Sequence, residues 1–238
     1  LAGMTAAMKN LVGITYEKAC LPHRIEDTPE NGGDSYMKKN SWKQVMHCFD
    51  ERMTLNSNKG RYFFAKADDF LLKACYCMGV VCSGDKYRIG SWYGNDTIWR
   101  TVVDLNNIVL MADKAGTIKN SPQRKVLTIA DMIICGQTEG PVAPSPKKLN
   151  MIMMGENTYI FDKVMCEIMG FDSGKVKQLK NESVQGIYGY DSKTACMNTM
   201  VATNINEIGK CKLCDFRGKT EWRFEPHSCW KGHIEKKV

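Results

Sequence analysis

Strand-type apolar runs are confined to the part of this 238-residue chain beyond residue 120, and that placement constrains its fold more than any other feature. Lys125–Ile134 has the length and β-branched content of a buried strand. Met151–Met154 is a second short run, and Met200–Thr203 and Trp222–Phe224 are weaker strand candidates. Before residue 120 the apolar residues recur at helical spacing instead. Residues 4–12 read as a short helix stopped by Gly13. Ser41 suits an N-cap, followed by Trp42, Val45, Met46, Phe49 and Met53 on one side. Phe64, Phe70, Leu71, Ala74 and Met78 give an apolar side to a helix over about 63–80, ended near Gly84. A third helix over 96–113, capped by Asn95 or Asp96, presents Ile98, Val102, Leu105 and Val109, widened by Trp99, Val103 and Leu110. A helix over 158–169 is stopped by Gly170. The expectation is an α/β fold: a mixed sheet with helices packed on it and a helical first half. No internal repeat or linker divides the chain, so residues 1–238 read as a single domain. It begins at Leu1 with no leader pattern, which reads as the C-terminal part of a longer chain.

With 43% hydrophobic and 25% charged residues the chain can bury a core, which excludes a disordered tail, a collagen-like fibre and a disulfide miniprotein. No apolar run approaches the roughly 18 residues a spanning helix needs, so no membrane partner is expected. The net charge of +7 is spread thinly and forms no basic stripe with interleaved aromatics, which argues against a nucleic-acid partner. Eleven cysteines, an odd number with several inside apolar runs, point to a reducing, cytoplasmic setting and to small buried hydrophobes.

The sharpest polar feature is Asp96, Arg100 and Asp104 at i, i+4 and i+8, one face of the third helix. The plain reading is a solvated ion-pair stripe. The functional reading makes Arg100 a fork for an anion, with Asn95 and the glycine-containing turn before it offering backbone N–H groups. Asp131 interrupts an apolar strand, where a bare buried carboxylate is costly, so it is paired, functional or at a solvent-facing strand end. Glu139 and Gly140 follow in the next loop, where ligands gather in open α/β sheets. Asp131 and Glu139 are therefore candidates for a base or a divalent-metal ligand. His23, in a loop expected after Pro22, is a candidate proton carrier. Asp162, inside the 158–169 helix, reads as a surface carboxylate.

Cys211 and Cys214, then His227 after twelve residues and His233 after five more, satisfy the two-Cys, two-His finger spacing, with Cys229 as a further ligand. Pro226 and Gly232 oppose the helix that a finger needs, and Gly218 stands where an aromatic belongs. A zinc site of another shape, built from Cys211, Cys214, His227 and Cys229, is the alternative. Cys75, Cys77 and Cys82 lack ferredoxin spacing, so no iron–sulfur motif is present and helical periodicity makes them core.

Gly3–Gly13, Leu21–His23 with Gly32–Asp34, and Gly94–Asn106 together resemble an uncharacterised bacterial and archaeal family, domain of unknown function 362. Ile129–Asp131, Glu139–Pro141, Met169–Phe171 and Trp230–Glu235 extend the resemblance over nearly the whole chain. The family pattern reads Asp-Gly after the strand, where this chain has Met132. Some relatives carry ferredoxin-type cysteines, which this chain lacks. The resemblance implies no reaction, and whether the chain is an enzyme stays open. The favoured expectation is a domain binding or acting on a small anionic ligand in a cleft lined by Asp, Arg and Glu. The alternatives are a metal- or redox-linked accessory module using the C-terminal Cys/His cluster, and a structural or partner-binding domain completed by a missing N-terminal segment.

Overall fold

The computed structural model describes residues 3–16, 41–84, 92–96, 98–140, 143–180 and 197–237. The chain divides into two compact units, one of Leu1 and Tyr16–Ile98, the other of Ala2–Thr15 and Trp99–Val238. The class is mixed α/β with a helical first half, and the strands among the described residues form two antiparallel pairs.

The first unit is built on two helices, α2 (Ser41–Asn58) and α3 (Tyr62–Ser83), joined through Gly60 at φ 69°. The side chain of Ser41, the expected cap, lies outside the described residues. Met46 packs with Leu72 and Cys75, flanked by Phe49 and Tyr76. Asp68 is buried because Asn56 Nδ2 donates to it at 2.8 Å and Arg52 pairs with it at 3.2 Å. The buried stripe of α3 is thus Ala65, Asp68, Leu72, Cys75 and Gly79, while the expected stripe of Phe64, Phe70, Leu71, Ala74 and Met78 is exposed. A helix apolar on several sides does not disclose by periodicity which side its neighbour covers. Cys77 and Cys82 are exposed with it, so of that cysteine trio Cys75 alone is core.

The second unit centres on α5 (Thr158–Met169), of which nine residues are buried. Asn157 caps it by accepting from Ile160 N at 3.0 Å, and Gly170 closes it in the left-handed region at φ 72°. Its buried faces meet α1 (Ala7–Asn10), which continues as a 3-10 turn through Ile14 instead of stopping at Gly13. Helix α4 (Ile98–Met111) begins two residues past Asp96, so neither Asn95 nor Asp96 directly precedes it. Within this unit a buried amide ties three helices together. Asn106 Nδ2 donates to Met8 O at 3.0 Å and Val102 O at 2.7 Å, and Thr158 Oγ1 donates to Asn106 Oδ1 at 2.9 Å. Asn106→Ala strands those partners in the core and is expected to cost about 3 kcal/mol in urea unfolding. Asn106→Asp, which sets a carboxylate against two carbonyls, is expected to cost more.

Strands β1 (Thr128–Glu139) and β2 (Ala143–Gly155) pair antiparallel, with a register shift between Met132 and Ile134. The hairpin alternates in burial: Met132 and Leu149 turn inward, while Ile129, Ile133, Ile134, Ile152 and Met154 stay exposed. β1 is therefore half of a two-faced hairpin, not the buried strand its apolar content suggests, and it extends through the first four residues of the loop expected over Gly136–Pro141. Short strands β3 (Met200–Ala202) and β4 (Lys210–Lys212) form the second antiparallel pair. Trp222–Phe224 is a 3-10 turn and an extended segment, not a strand; it packs on the end of α5, where Phe224 N donates to Met169 O at 3.0 Å. No helix among the described residues is long and apolar enough to cross a membrane.

Candidate functional site

The residues singled out from the sequence fall in several places. His23 lies outside the described residues. Asn95 and Asp96 belong to the first unit, in the turn after Trp92 and before the start of α4. Arg100 and Asp104 are exposed on α4; the Arg100 guanidinium stacks 4.5 Å from the Trp99 ring centre, and among the described residues no ion pair joins it to Asp104. Asp131 is exposed, and its Oδ1 accepts from Ile133 N at 2.9 Å where the register shifts, which is the solvent-facing outcome for a strand carboxylate. Asp162 is fully buried instead of lying on the surface. Its carboxylate accepts from Ala7 N at 2.7 Å and Met8 N at 3.3 Å at the start of α1. Burial raises its pKa to about 7 against the pull of those two N–H groups.

Glu139 and His227 do meet. Glu139 Oε2 stands 3.1 Å from His227 Nε2, and Glu139 Oε1 accepts from Ser228 N at 3.1 Å. Partial desolvation pushes the Glu139 pKa up, but the Ser228 hydroxyl and N–H and the nearby imidazole outweigh it and the net shift is down. His227 Nδ1 accepts from Cys229 N at 3.1 Å, so both ring nitrogens are engaged. In this arrangement the imidazole has no nitrogen free to take a substrate proton. The pair acts as a clamp, with Thr138 N donating to Glu225 O and Glu225 N donating to Gln137 Oε1, each at 3.1 Å, to hold the C-terminal segment on the end of β1. Thr138 stands at φ 63°, a strained region for a β-branched residue, and its hydroxyl lies 3.1 Å from Ser145 Oγ. Gly140 turns the chain just beyond it. Among the described residues no three His, Cys, Asp or Glu side chains are grouped to hold a metal ion, so Cys211, Cys214, His227 and Cys229 are not gathered into a ligand set. Nor are the cysteines among the described residues mostly core: Cys75 and Cys166 are buried, whereas Cys48, Cys77, Cys82 and Cys214 are exposed.

Elsewhere in the second unit a cleft of about 1070 Å³ lies between the two hairpins. Residues 149–157 line it without a break, as do 199–205. Helix α5 adds Ile160, Phe161, Val164 and Ile168, and Ile208, Phe216 and Trp222 contribute further apolar surface. Among the described lining residues the charged ones are Glu156 and Lys219; Lys219 pairs with Glu207 at 3.1 Å and lies 5.8 Å from the Trp222 ring centre. Met151–Met154 and Met200–Thr203 are each visible in the sequence as apolar runs. That they border one opening depends on how distant segments pack, and no local signal carries it.

Neither a curated protein nor a solved structure shows a significant match to the chain. A family model described as Domain of unknown function (DUF362) matches residues 1–167. That stretch contains α1 to α4, the β1–β2 hairpin and most of α5, and stops short of Met169–Phe171, the β3–β4 pair and Trp230–Glu235. The match covers well over half of the sequence, and the chain belongs to the DUF362 family.

Proposed function

We propose that the chain is a binding domain whose ligand, elongated and mainly apolar but carrying an acidic group, lies in the cleft between the two hairpins. The observation that carries this reading is the cleft itself: about 1070 Å³, with methionine, isoleucine and phenylalanine side chains beside polar ones such as Asn150, Asn157 and Thr203, and with Lys219 and Glu156 as the charged groups among its described lining residues. Ligand sites are commonly concave and apolar with a few polar groups that fix orientation, and flexible methionines adapt to varied shapes. The ligand's acidic group would replace Glu207 as the partner of Lys219 beside the Trp222 ring. This keeps the expected anionic character of the ligand while moving its recognition from Arg100 to Lys219.

The dye 1-anilinonaphthalene-8-sulfonate, apolar with one negative charge, is a suitable probe. Met200 is half exposed and lines the cleft, so Met200→Asp alters the site without opening the core. Met200→Asp and Lys219→Ala are each expected to weaken dye binding about tenfold, equivalent to about 1.4 kcal/mol. Ile134→Asp, on exposed β1 surface outside the cleft, is expected to leave it unchanged. Unaltered binding in both cleft variants overturns the reading.

A further inference from the structure

We infer that the exposed side of α3 is a dimer interface, on which a second copy of this chain lays its own α3 antiparallel. The helix carries two apolar stripes, and the first unit uses one of them. Ala65, Asp68, Leu72, Cys75 and Gly79 form the buried side, where Leu72 and Cys75 pack on Met46 of α2. Phe63, Ala67, Phe70, Ala74, Cys77 and Val81 recur at alternating intervals of four and three, and all of them are exposed. That spacing averages 3.5 residues, the repeat of helices that pack along their length. At 3.6 residues per turn the two stripes fall on opposite sides of α3, so α2 does not cover both. Phe64, Leu71 and Met78, seven residues apart and also exposed, border the second stripe on one side, and Lys66, Asp69 and Lys73 stand on the other.

The extent of this surface suits a dimer. Phe63 is 79% exposed, Phe70 71% and Val81 80%. Together with the open parts of Phe64, Leu71 and Met78 they present roughly 700 Å², at about 200 Å² for a fully exposed phenylalanine, more than the largest apolar patch of a typical monomer. Two such faces bury up to about 1,400 Å², within the range of stable protein interfaces. The order of large and small residues makes the occupant a second copy. About a two-fold axis at the level of Leu72, antiparallel helices set Phe70 against Ala74, Phe63 against Val81 and Ala67 against Cys77. Each phenylalanine of the stripe then meets a smaller residue, as interdigitated packing requires. Beside the stripe, Phe64 faces Met78 and Leu71 faces its own counterpart, so the bordering side is apolar in both copies. A two-fold interface needs this self-complementarity, residue against residue in both directions. A parallel pair instead sets Phe63 and Phe70 on themselves and leaves gaps at Ala67 and Ala74.

Sedimentation of the natural chain at micromolar concentration is expected to give a dimer. Phe70→Glu, which changes an exposed side chain and leaves helix content by circular dichroism intact, is expected to raise the dimer dissociation constant at least about a hundredfold. Ile118→Glu, on exposed surface of the second unit, is expected to leave it unchanged. Ala67→Cys under mild oxidation is expected to give a covalent dimer in which position 67 is joined to Cys77 of the other copy, and Cys77→Ser to abolish that link. Within one helix the two positions are about 15 Å apart, too far for a disulfide, so the link reports contact between copies. A chain that is monomeric at every concentration overturns the proposal. If that monomer binds lipid vesicles and Phe70→Glu prevents it, the face belongs to a membrane surface. If its Cys77 resists thiol reagents, another part of the same chain covers the face. A dimer that survives Phe70→Glu, or a Cys77-to-Cys77 link in the natural chain, likewise overturns the antiparallel α3 pair.

Discussion

Between pH 5 and pH 8 the protein is expected to lose roughly 2.5 kcal/mol of stability that Asp162→Asn does not lose. The cause is a carboxyl buried at the start of α1, where burial raises its pKa from 3.8 to about 7. The unfolded chain ionises near pH 4, whereas the folded chain holds the proton until about pH 7, so across this interval the folded state binds more protons and stability falls as pH rises. The loss is complete about one unit above the folded pKa. Asparagine at 162 keeps an oxygen to accept from Ala7 N and never takes a charge, so the variant is expected to match the natural protein near pH 5 and to exceed it at pH 8. Glu139, Glu207, Glu235 and Asp113 have lowered pKa values, so their contributions fade only as pH drops through those depressed values, below the interval in question. Urea titrations at both pH values, followed through amide exchange in α5, provide the measurement. Equal pH slopes in the two proteins contradict the assignment.

Asp162 also marks where local reading ends. Helix α5 is legible because its signals are local: a cap, a 3.6-residue period and Gly170 at the end. Its one internal aspartate looks like surface until α1, more than 150 residues earlier, brings two N–H groups to it. In α3 the pattern predicts a helix correctly but cannot choose among its apolar sides, and Asp68 takes a buried place because Arg52 and Asn56 of α2 reach it. β1 has the composition of a buried strand, yet among the described residues it pairs with β2 alone and leaves one face exposed. The candidate residues follow the same logic. Glu139 and His227 are individually visible, but their meeting depends on the C-terminal segment folding back along β1. Arg100 and Asp104 are spaced as expected on a helix that places them in solvent.

Gly218→Ala is the other substitution with a large expected effect. A Cβ at 218 would overlap the Glu167 carbonyl oxygen and lie 2.9 Å from both Glu167 C and Ile168 Cα. These are backbone atoms of the last turn of α5, held by the helix ladder and by the closing bonds at Gly170 and Phe171. They cannot move aside as a flexible side chain would, so alanine must lift the C-terminal segment away. Phe216, Trp222 and Phe224, all buried on that segment, are the contacts at risk. The expected cost is about 3 kcal/mol, at the upper end of overpacking. Gly13→Ala, where a Cβ meets nothing within 4 Å, is the control and is expected to change stability by less than about 0.5 kcal/mol. Urea unfolding gives the stability, and tryptic cleavage after Arg217 and Lys219 reports release of the segment; a Gly218→Ala protein as stable and as resistant as the Gly13→Ala control removes the packing argument. Because Phe216, Lys219 and Trp222 also line the cleft, displacing this segment is expected to weaken dye binding together with stability, whereas the control leaves both intact.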